Sequence, residues 1–235
     1  MSGIRRFYEK AVADSCDGRH SVKLDGRAIQ TPAKAPMVLP TRALAATIAE
    51  EWAAQGETVE PRSMPMMRLA ASAIDRVTPS RDAVVDEIAA YAATDHLCYR
   101  ADGPETLIQR QAEAWQPWLD WATDRFDARL EITAGVVAIE QDPAARVALR
   151  DAIAAYDDYT IAALHSLTTV FGSVILALAV VEGEIGARDA FVASRIDEDF
   201  QAEQWGTDEA AEAQRAALEA EIGEAARLLA LLQAD

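Results

Sequence analysis

The chain has 235 residues, half of them hydrophobic and a quarter charged, so it is globular rather than disordered and long enough to bury one large core or two small ones. A net charge of −17 argues against binding to nucleic-acid backbones or anionic lipid, both of which call for basic patches. The acid is concentrated from Asp197 to Glu224, whereas the start of the chain carries Arg5, Arg6, Lys10, Arg19, Lys23, Arg27 and Lys34.

Residues 1–40 read as β. Phe7 to Val12 suits a strand, Asp17-Gly18 marks a turn, and Ser21 to Gln30 alternates around Asp25-Gly26, a pair that tolerates the two positive φ angles of a tight hairpin. Pro32, Pro36 and Pro40 limit the next stretch to short strands or connectors. Three or four such strands are marginal alone and must pack on something. From Thr41, a plausible N-cap, the chain turns helical through Leu44, Ile48 and Trp52 to Gly56. Ser63 and Pro65 read as the cap and first turn of a second helix carrying Met66, Met67 and Ile74, and Val84, Val85 and Ile88 line a third.

Glu105 to Phe126 is amphipathic, and Pro117 inside it predicts a kink or a split. Trp115, Trp118 and Trp121 recur every three residues and are expected in the core rather than at an interface; Trp52 is expected there too. Gly135 to Ile139 reads as a strand or an extended connector, and Asp142-Pro143 opens a helix toward Tyr156. His165 to Val181 is the most apolar stretch, with no strongly polar side, which predicts a central helix around residues 160–182 covered on all faces. It falls short of the ~20 apolar residues a membrane span requires. One helix is expected from Ala187 to Trp205, with Phe191, Ile196 and Phe200 inward, and another from Thr207 to Leu232. The expected class is α+β: a β-rich segment over residues 1–40, then a larger helical domain over 41–235.

The chemical inventory is thin. Cys16 and Cys98 form neither a disulfide framework nor a metal spacing, and His20, His96 and His165 are scattered, so no metal and no cofactor is expected. Nothing at the start of the sequence resembles a secretion signal. Asp95, His96 and Cys98 offer a base and a thiol, the makings of a small hydrolase or transferase. Residues one and two apart on a helix do not face each other, however, which favours a structural role with Asp95 as a cap and Cys98 buried. The segment around Glu198, Asp199, Phe200, Gln201, Glu203 and Trp205 has two readings. One is a solvated acidic face with its aromatics turned inward; the other is a recognition surface whose carboxylates meet a partner's arginines beside an aromatic anchor.

Several short motifs are familiar together. They are Arg-Arg-Phe-Tyr (5–8), Leu-Asp-Gly-Arg (24–27) with Thr31-Pro32, Ile-Ala-x-Glu-Trp (48–52), Met-Pro-Met (64–66) and Ala-Ile-Asp (73–75). Thr-Asp-His-Leu-Cys-Tyr-Arg-Ala (94–101), Gln111-x3-Trp115-x-Pro117 and Asp-Glu-Asp-Phe-Gln-x3-Trp-Gly (197–206) complete the set. In this order, over nearly the whole chain, they resemble the assembly chaperones that bind the α subunit of F1 ATP synthase in mitochondria and α-proteobacteria. With nothing like a transit peptide and an Ala- and Arg-rich usage the chain looks like a bacterial member, its two cysteines suit the cytoplasm, and the resemblance implies a β N-terminal part and an α C-terminal part. It also implies no enzymatic activity, and a role in keeping the new α subunit soluble until the β subunit replaces it.

Overall fold

The computed structural model describes residues 4–16, 18–135 and 137–234. Among these the strands are β1 (Ile4–Arg5), β2 (Ala11–Cys16), β3 (Arg19–Leu24), β4 (Arg27–Ala28), β5 (Thr58–Val59), β6 (Tyr99–Arg100) and β7 (Thr133–Ala134). The α-helices are α1 (Arg42–Ala53), α2 (Pro65–Ser72), α3 (Arg81–Ala89), α4 (Glu105–Phe126), α5 (Pro143–Ala154), α6 (Asp158–Phe171), α7 (Val174–Val181), α8 (Ala187–Ser194), α9 (Ile196–Trp205) and α10 (Glu209–Gln233). A small N-terminal sheet region thus precedes a larger helical region, the expected α+β class. Two compact units divide the chain: Met1–Arg81 with Asp158–Ala163 and Glu224–Asp235, and Asp82–Asp157 with Leu164–Gly223.

In the first unit β2, β3 and β4 form an antiparallel sheet in that order, and β1 pairs antiparallel with β5. The hairpin turn falls at Asp25 (φ 47°) and Gly26 (φ 83°), both in the left-handed region the two-residue loop requires. The Asp25 carboxylate accepts the amides of Glu9 at 3.1 Å and Lys10 at 2.9 Å, and these donors hold its pKa below the usual carboxylate range. Because the two amides turn to a side chain, the strand expected over Phe7–Val12 is displaced, and β2 starts only at Ala11. The turn expected at Asp17-Gly18 lies partly outside the described residues, since Asp17 is not among them.

Thr41 caps α1 as expected, its hydroxyl accepting the Leu44 amide at 3.2 Å. Ser63 does not cap α2. It sits in a short 3-10 turn and donates to the Glu60 carbonyl at 2.9 Å. The carboxylate of Glu51, reaching over from α1, takes the cap's place by accepting the amides of Met66 (2.8 Å) and Met67 (2.9 Å). These motif residues work as ties. The Arg6 guanidinium donates to the carbonyls of Tyr8 and Glu9 and to those at the end of α1, Ala53 and Gln55. The Tyr8 hydroxyl donates to the Trp52 carbonyl at 2.6 Å. Asp75 accepts from the Thr31 hydroxyl at 2.6 Å and the Ala33 amide at 3.0 Å.

In the second unit α4 runs unbroken through Pro117, so the expected split does not occur. Pro117 is exposed, and so is Glu113, whose carbonyl loses its donor and can turn to water. The buried positions of α4 are Gln111, Trp115, Leu119 and Ala122. Trp118 and Trp121 are only half-buried and pack edge to face, ring centres 6.5 Å apart. Each step of three residues falls 60° short of a full turn, so the three tryptophans fan away from the core rather than share its stripe.

The central helix expected around 160–182 is two helices, α6 and α7. Gly172 (φ 64°) ends the first, and Ser173 caps the second by accepting the Leu176 amide at 3.1 Å. Every residue from Val174 to Val180 is buried. The single helix expected over 187–205 is likewise broken, at Arg195, into α8 and α9. Phe191 is buried as expected, but Ile196 and Phe200 are only half-buried. The extended segment expected over Gly135–Ile139 is not the strand; β7 lies just before it and pairs parallel to β6. Val136 lies outside the described residues. Among the described residues no helix is long and apolar enough to cross a membrane.

Candidate functional site: the groove between α9 and α10

Asp95 and Trp115 are wholly buried, and each holds backbone in place. The Asp95 carboxylate accepts the Leu97 amide (3.1 Å), the Ser173 hydroxyl (3.0 Å) and the Ile175 amide (3.2 Å), so it sits on the start of α7. Burial pushes its pKa up to about 6 against the pull of those donors. The Trp115 indole donates to the Ala193 carbonyl at 2.7 Å; its ring meets the edge of His96 at 4.8 Å and lies beneath the Arg100 guanidinium at 5.1 Å. Gln111 links the motifs. Its side chain accepts the Ala101 amide at 2.7 Å and donates to Asp197 at 2.6 Å, and its carbonyl accepts from Arg100 at 2.8 Å. The segments 94–101, 111–117 and 197–206 therefore interlock around Gln111 and Trp115.

The Asp95, His96 and Cys98 grouping does not build a nucleophile. Cys98 is wholly buried, and burial together with the neighbouring Asp95 pushes its thiol up to about 12. Burial also lowers the pKa of His96, whose backbone amide is tied to the Gly172 carbonyl at 3.0 Å. Among the described residues no three His, Cys, Asp or Glu side chains are placed to hold a metal ion. Trp52 is half-buried, its ring meeting Tyr8 edge to face at 5.5 Å.

The acidic segment folds as α9, and its two sides differ. Asp197, Phe200 and Glu203 turn toward α4: Arg110 donates to Glu203 at 2.8 Å and places its guanidinium 5.4 Å from the Phe200 ring. This pair lowers the pKa of Glu203. Glu198, Asp199, Gln201 and Trp205 line the other side with Ala202, and 198, 201, 202 and 205 are the i, i+3, i+4, i+7 positions of one helix face. Opposite them stand Asp208, Ala211, Glu212 and Arg215 from the start of α10, with Phe191 and Leu218 also lining the space. Gly206 (φ 81°) makes the turn between the helices, and Asp208 caps α10 by accepting the Ala211 amide at 2.8 Å. The result is an open groove of about 660 Å³.

Of the six residues singled out in this segment, four reach the groove and two, Phe200 and Glu203, face α4. Trp205 is 80% exposed, the most exposed large apolar side chain among the described residues. Two of the groove's four carboxylates are paired with arginines of the chain: Asp199 with Arg215 at 2.5 Å, and Glu198 with Arg195 at 2.8 Å. The two guanidiniums lie against the Phe191 ring at 5.4 and 5.6 Å. Arg195, Arg215 and the α10 wall were not read from the sequence. The signal for Arg215 was present: Asp199 and Arg215 lie nearly the same number of residues from the Gly206-Thr207 turn, so an antiparallel helix pair brings them level.

Residues 5–123 match the family model described as ATP12 chaperone protein. The curated mitochondrial protein atp12 of Schizosaccharomyces pombe is 22% identical over 218 residues, covering 87% of this chain and 74% of that protein. Among solved structures, Atp12 from Paracoccus denitrificans is 47% identical with a TM-score of 0.93, covering 97% of this chain and 98% of that one. The Atu1473 protein of Agrobacterium tumefaciens is 40% identical with a TM-score of 0.91, covering 97% and 86%. These structural matches carry the likeness through α9 and α10, beyond the residues matched by the family model. The motifs and the fold agree with them, and the chain belongs to the ATP12 chaperone family.

Proposed function

We propose that the chain is an ATP synthase assembly chaperone of the bacterial cytoplasm: it captures the free α subunit of F1 and covers its subunit interface until the ring assembles, without making or breaking a covalent bond. A subunit destined for an alternating ring exposes apolar surface and unpaired charge while alone, and such a patch aggregates. The observation that carries the reading is Trp205, a bare indole at the lip of a groove lined by four carboxylates and two arginines. Glu198 is open to water, its side chain 52% exposed, and a surface carboxylate paired in that way gains only about 0–1 kcal/mol from its partner. A client's arginines can be met by the groove's surplus of carboxylates, Glu198, Asp199, Asp208 and Glu212 against Arg195 and Arg215, while Trp205 supplies the apolar anchor. Contacts made through solvated carboxylates also suit a chaperone that must let go.

The test is to co-express the F1 α subunit with the wild-type chain, with Glu198→Lys and with Trp205→Ser. The wild type should keep the subunit in the soluble fraction; each variant should lose most of that effect while its circular-dichroism spectrum stays unchanged. If both variants still protect the subunit, the groove is not the contact. If the wild type fails as well, the α subunit is not the client.

A further inference from the structure

The acidic groove leaves unexplained a second feature, at the opposite pole of charge. Residues 1–40 carry seven Lys and Arg against four Asp and Glu, a net of +3 in a chain of −17. This basic segment forms the β2-β3-β4 sheet, in which β2 is an edge strand. The register identifies the open groups. The Asp25 amide donates to the Lys10 carbonyl, and the ladder pairs Ala11 with Leu24, Val12 with Lys23 and Ala13 with Val22. Residues 10, 12 and 14 thus bond toward β3, whereas Ala11, Ala13 and Ser15 point their N–H and C=O away from it. Among the described residues no hydrogen bond meets that outer edge.

Proteins usually guard such an edge with charges on it, a proline or a covering loop. This edge has no proline and no covering loop among the described residues: Ala11, Ala13 and Ser15 are small, and Ala13 and Ser15 are exposed. The face carrying Val12 (51% exposed) also carries Asp14, but Asp14 is occupied by Lys23 at 2.8 Å. Two exposed cations remain, one at each end of the edge: Lys10 just before β2 and Arg19 just after its turn.

We propose that the free edge of β2 is a second docking surface, which takes an extended segment of a client polypeptide as a fourth strand, apolar opposite Val12 and acidic at both ends to meet Lys10 and Arg19. The occupant is a client strand rather than a second copy of the sheet, because antiparallel pairing of two β2 edges would set Lys10 of one against Arg19 of the other. The proposal rests on membership of a chaperone family, not on the α9 groove. Strand addition fits a client that still has unpaired backbone: main-chain bonds give grip with little demand on sequence, and the end charges fix register. The remainder of the chain, at net −20, steers an acidic segment away from everything except this sheet.

The experiment uses the full chain and the heptapeptide Glu-Thr-Val-Thr-Val-Thr-Glu, at up to about 1 mM, the weak end of specific binding. Residue-resolved amide exchange is read with and without it. The expected result is that exchange at Ala13 and Ser15 slows about tenfold, while Val12 and Asp14, already bonded to β3, do not change. The same peptide with lysine at both ends should have no effect. Ala13→Pro should abolish the protection yet leave the β2-β3 pairs intact, because the N–H it removes points outward. Trp205→Ser should leave it untouched, which separates this surface from the groove. The proposal is overturned if the edge amides ignore the peptide, if the proline variant binds equally well, or if the same protection arises without peptide as protein concentration rises, which would make the occupant a second copy.

Discussion

At the scale of single residues, Cys98 shows how burial decides chemistry. A thiol pushed up to about 12 is ionised at neutral pH in only about one molecule in 10⁵, and it is the thiolate that attacks. Asp95 cannot serve it as a base, because both of its oxygens already accept hydrogen bonds from the start of α7 and from Leu97. Iodoacetamide at pH 7.5 should therefore label Cys98 orders of magnitude more slowly in the folded protein than in urea, read by mass spectrometry of its peptide. Rapid labelling of the folded chain would restore the reading of Asp95, His96 and Cys98 as a catalytic group. The same logic separates the acids of α9: Glu203 is engaged with Arg110, so it contributes mainly to seating α9 on α4, whereas Glu198 and Asp199 face the groove.

At the scale of elements, the chain relies on carboxylates borrowed from distant segments to finish its helices. Glu51 caps α2 from 15 residues away, and Asp95 caps α7 from 80. Asp95 carries a pH signature. Its folded pKa of about 6 lies above the unfolded value, so its contribution to stability is complete below about pH 4 and is lost as pH rises through 6. The loss amounts to about 3 kcal/mol from a shift of roughly two units. Urea unfolding of the wild type and Asp95→Asn at pH 4 and pH 7 isolates most of it: the wild type should gain about 2 kcal/mol on the variant at the lower pH. A difference that stays flat between the two would mean that the carboxylate ionises freely in the fold. These borrowed caps also mark what the sequence could show. Thr41 was legible because a cap three residues ahead of its amide is a local pattern, and it acts as expected; Asp142-Pro143 likewise marked where α5 opens, with Asp142 accepting the Ala144 amide. Ser63 misled because it fits the same pattern while a remote carboxylate does the work. The break at Gly172 was hidden by the apolar residues on either side: with both helices buried on every face, the periodicity ran on without a seam, and only the Gly172-Ser173 pair marked it.

At the scale of the whole molecule, charge is sorted along the chain, basic in the first sheet and acidic toward the end, and this much was plain from composition. The division of α9 into a side that seats and a side that faces water was not, because helical spacing gives two faces without saying which one meets α4. Gln111 settles it by bonding Asp197, and that contact joins positions 86 residues apart. Sorted charge has a kinetic consequence for client capture. The carboxylates of Glu198, Asp199, Asp208 and Glu212 outnumber Arg195 and Arg215 in the groove, so a basic client patch is drawn in by a field that reaches only about 10 Å at 0.1 M salt. In the proposed complex the indole of Trp205 would be held by apolar contact, which salt does not screen. Raising salt from about 50 to 500 mM should therefore slow association with the α subunit by about tenfold or more and leave dissociation nearly unchanged. Stopped-flow mixing, with the change in total tryptophan fluorescence as the reporter, reads both rates. Should dissociation quicken with salt while association holds steady, the ion pairs would be what retains the client, and Trp205→Ser would then be expected to leave the lifetime of the complex intact.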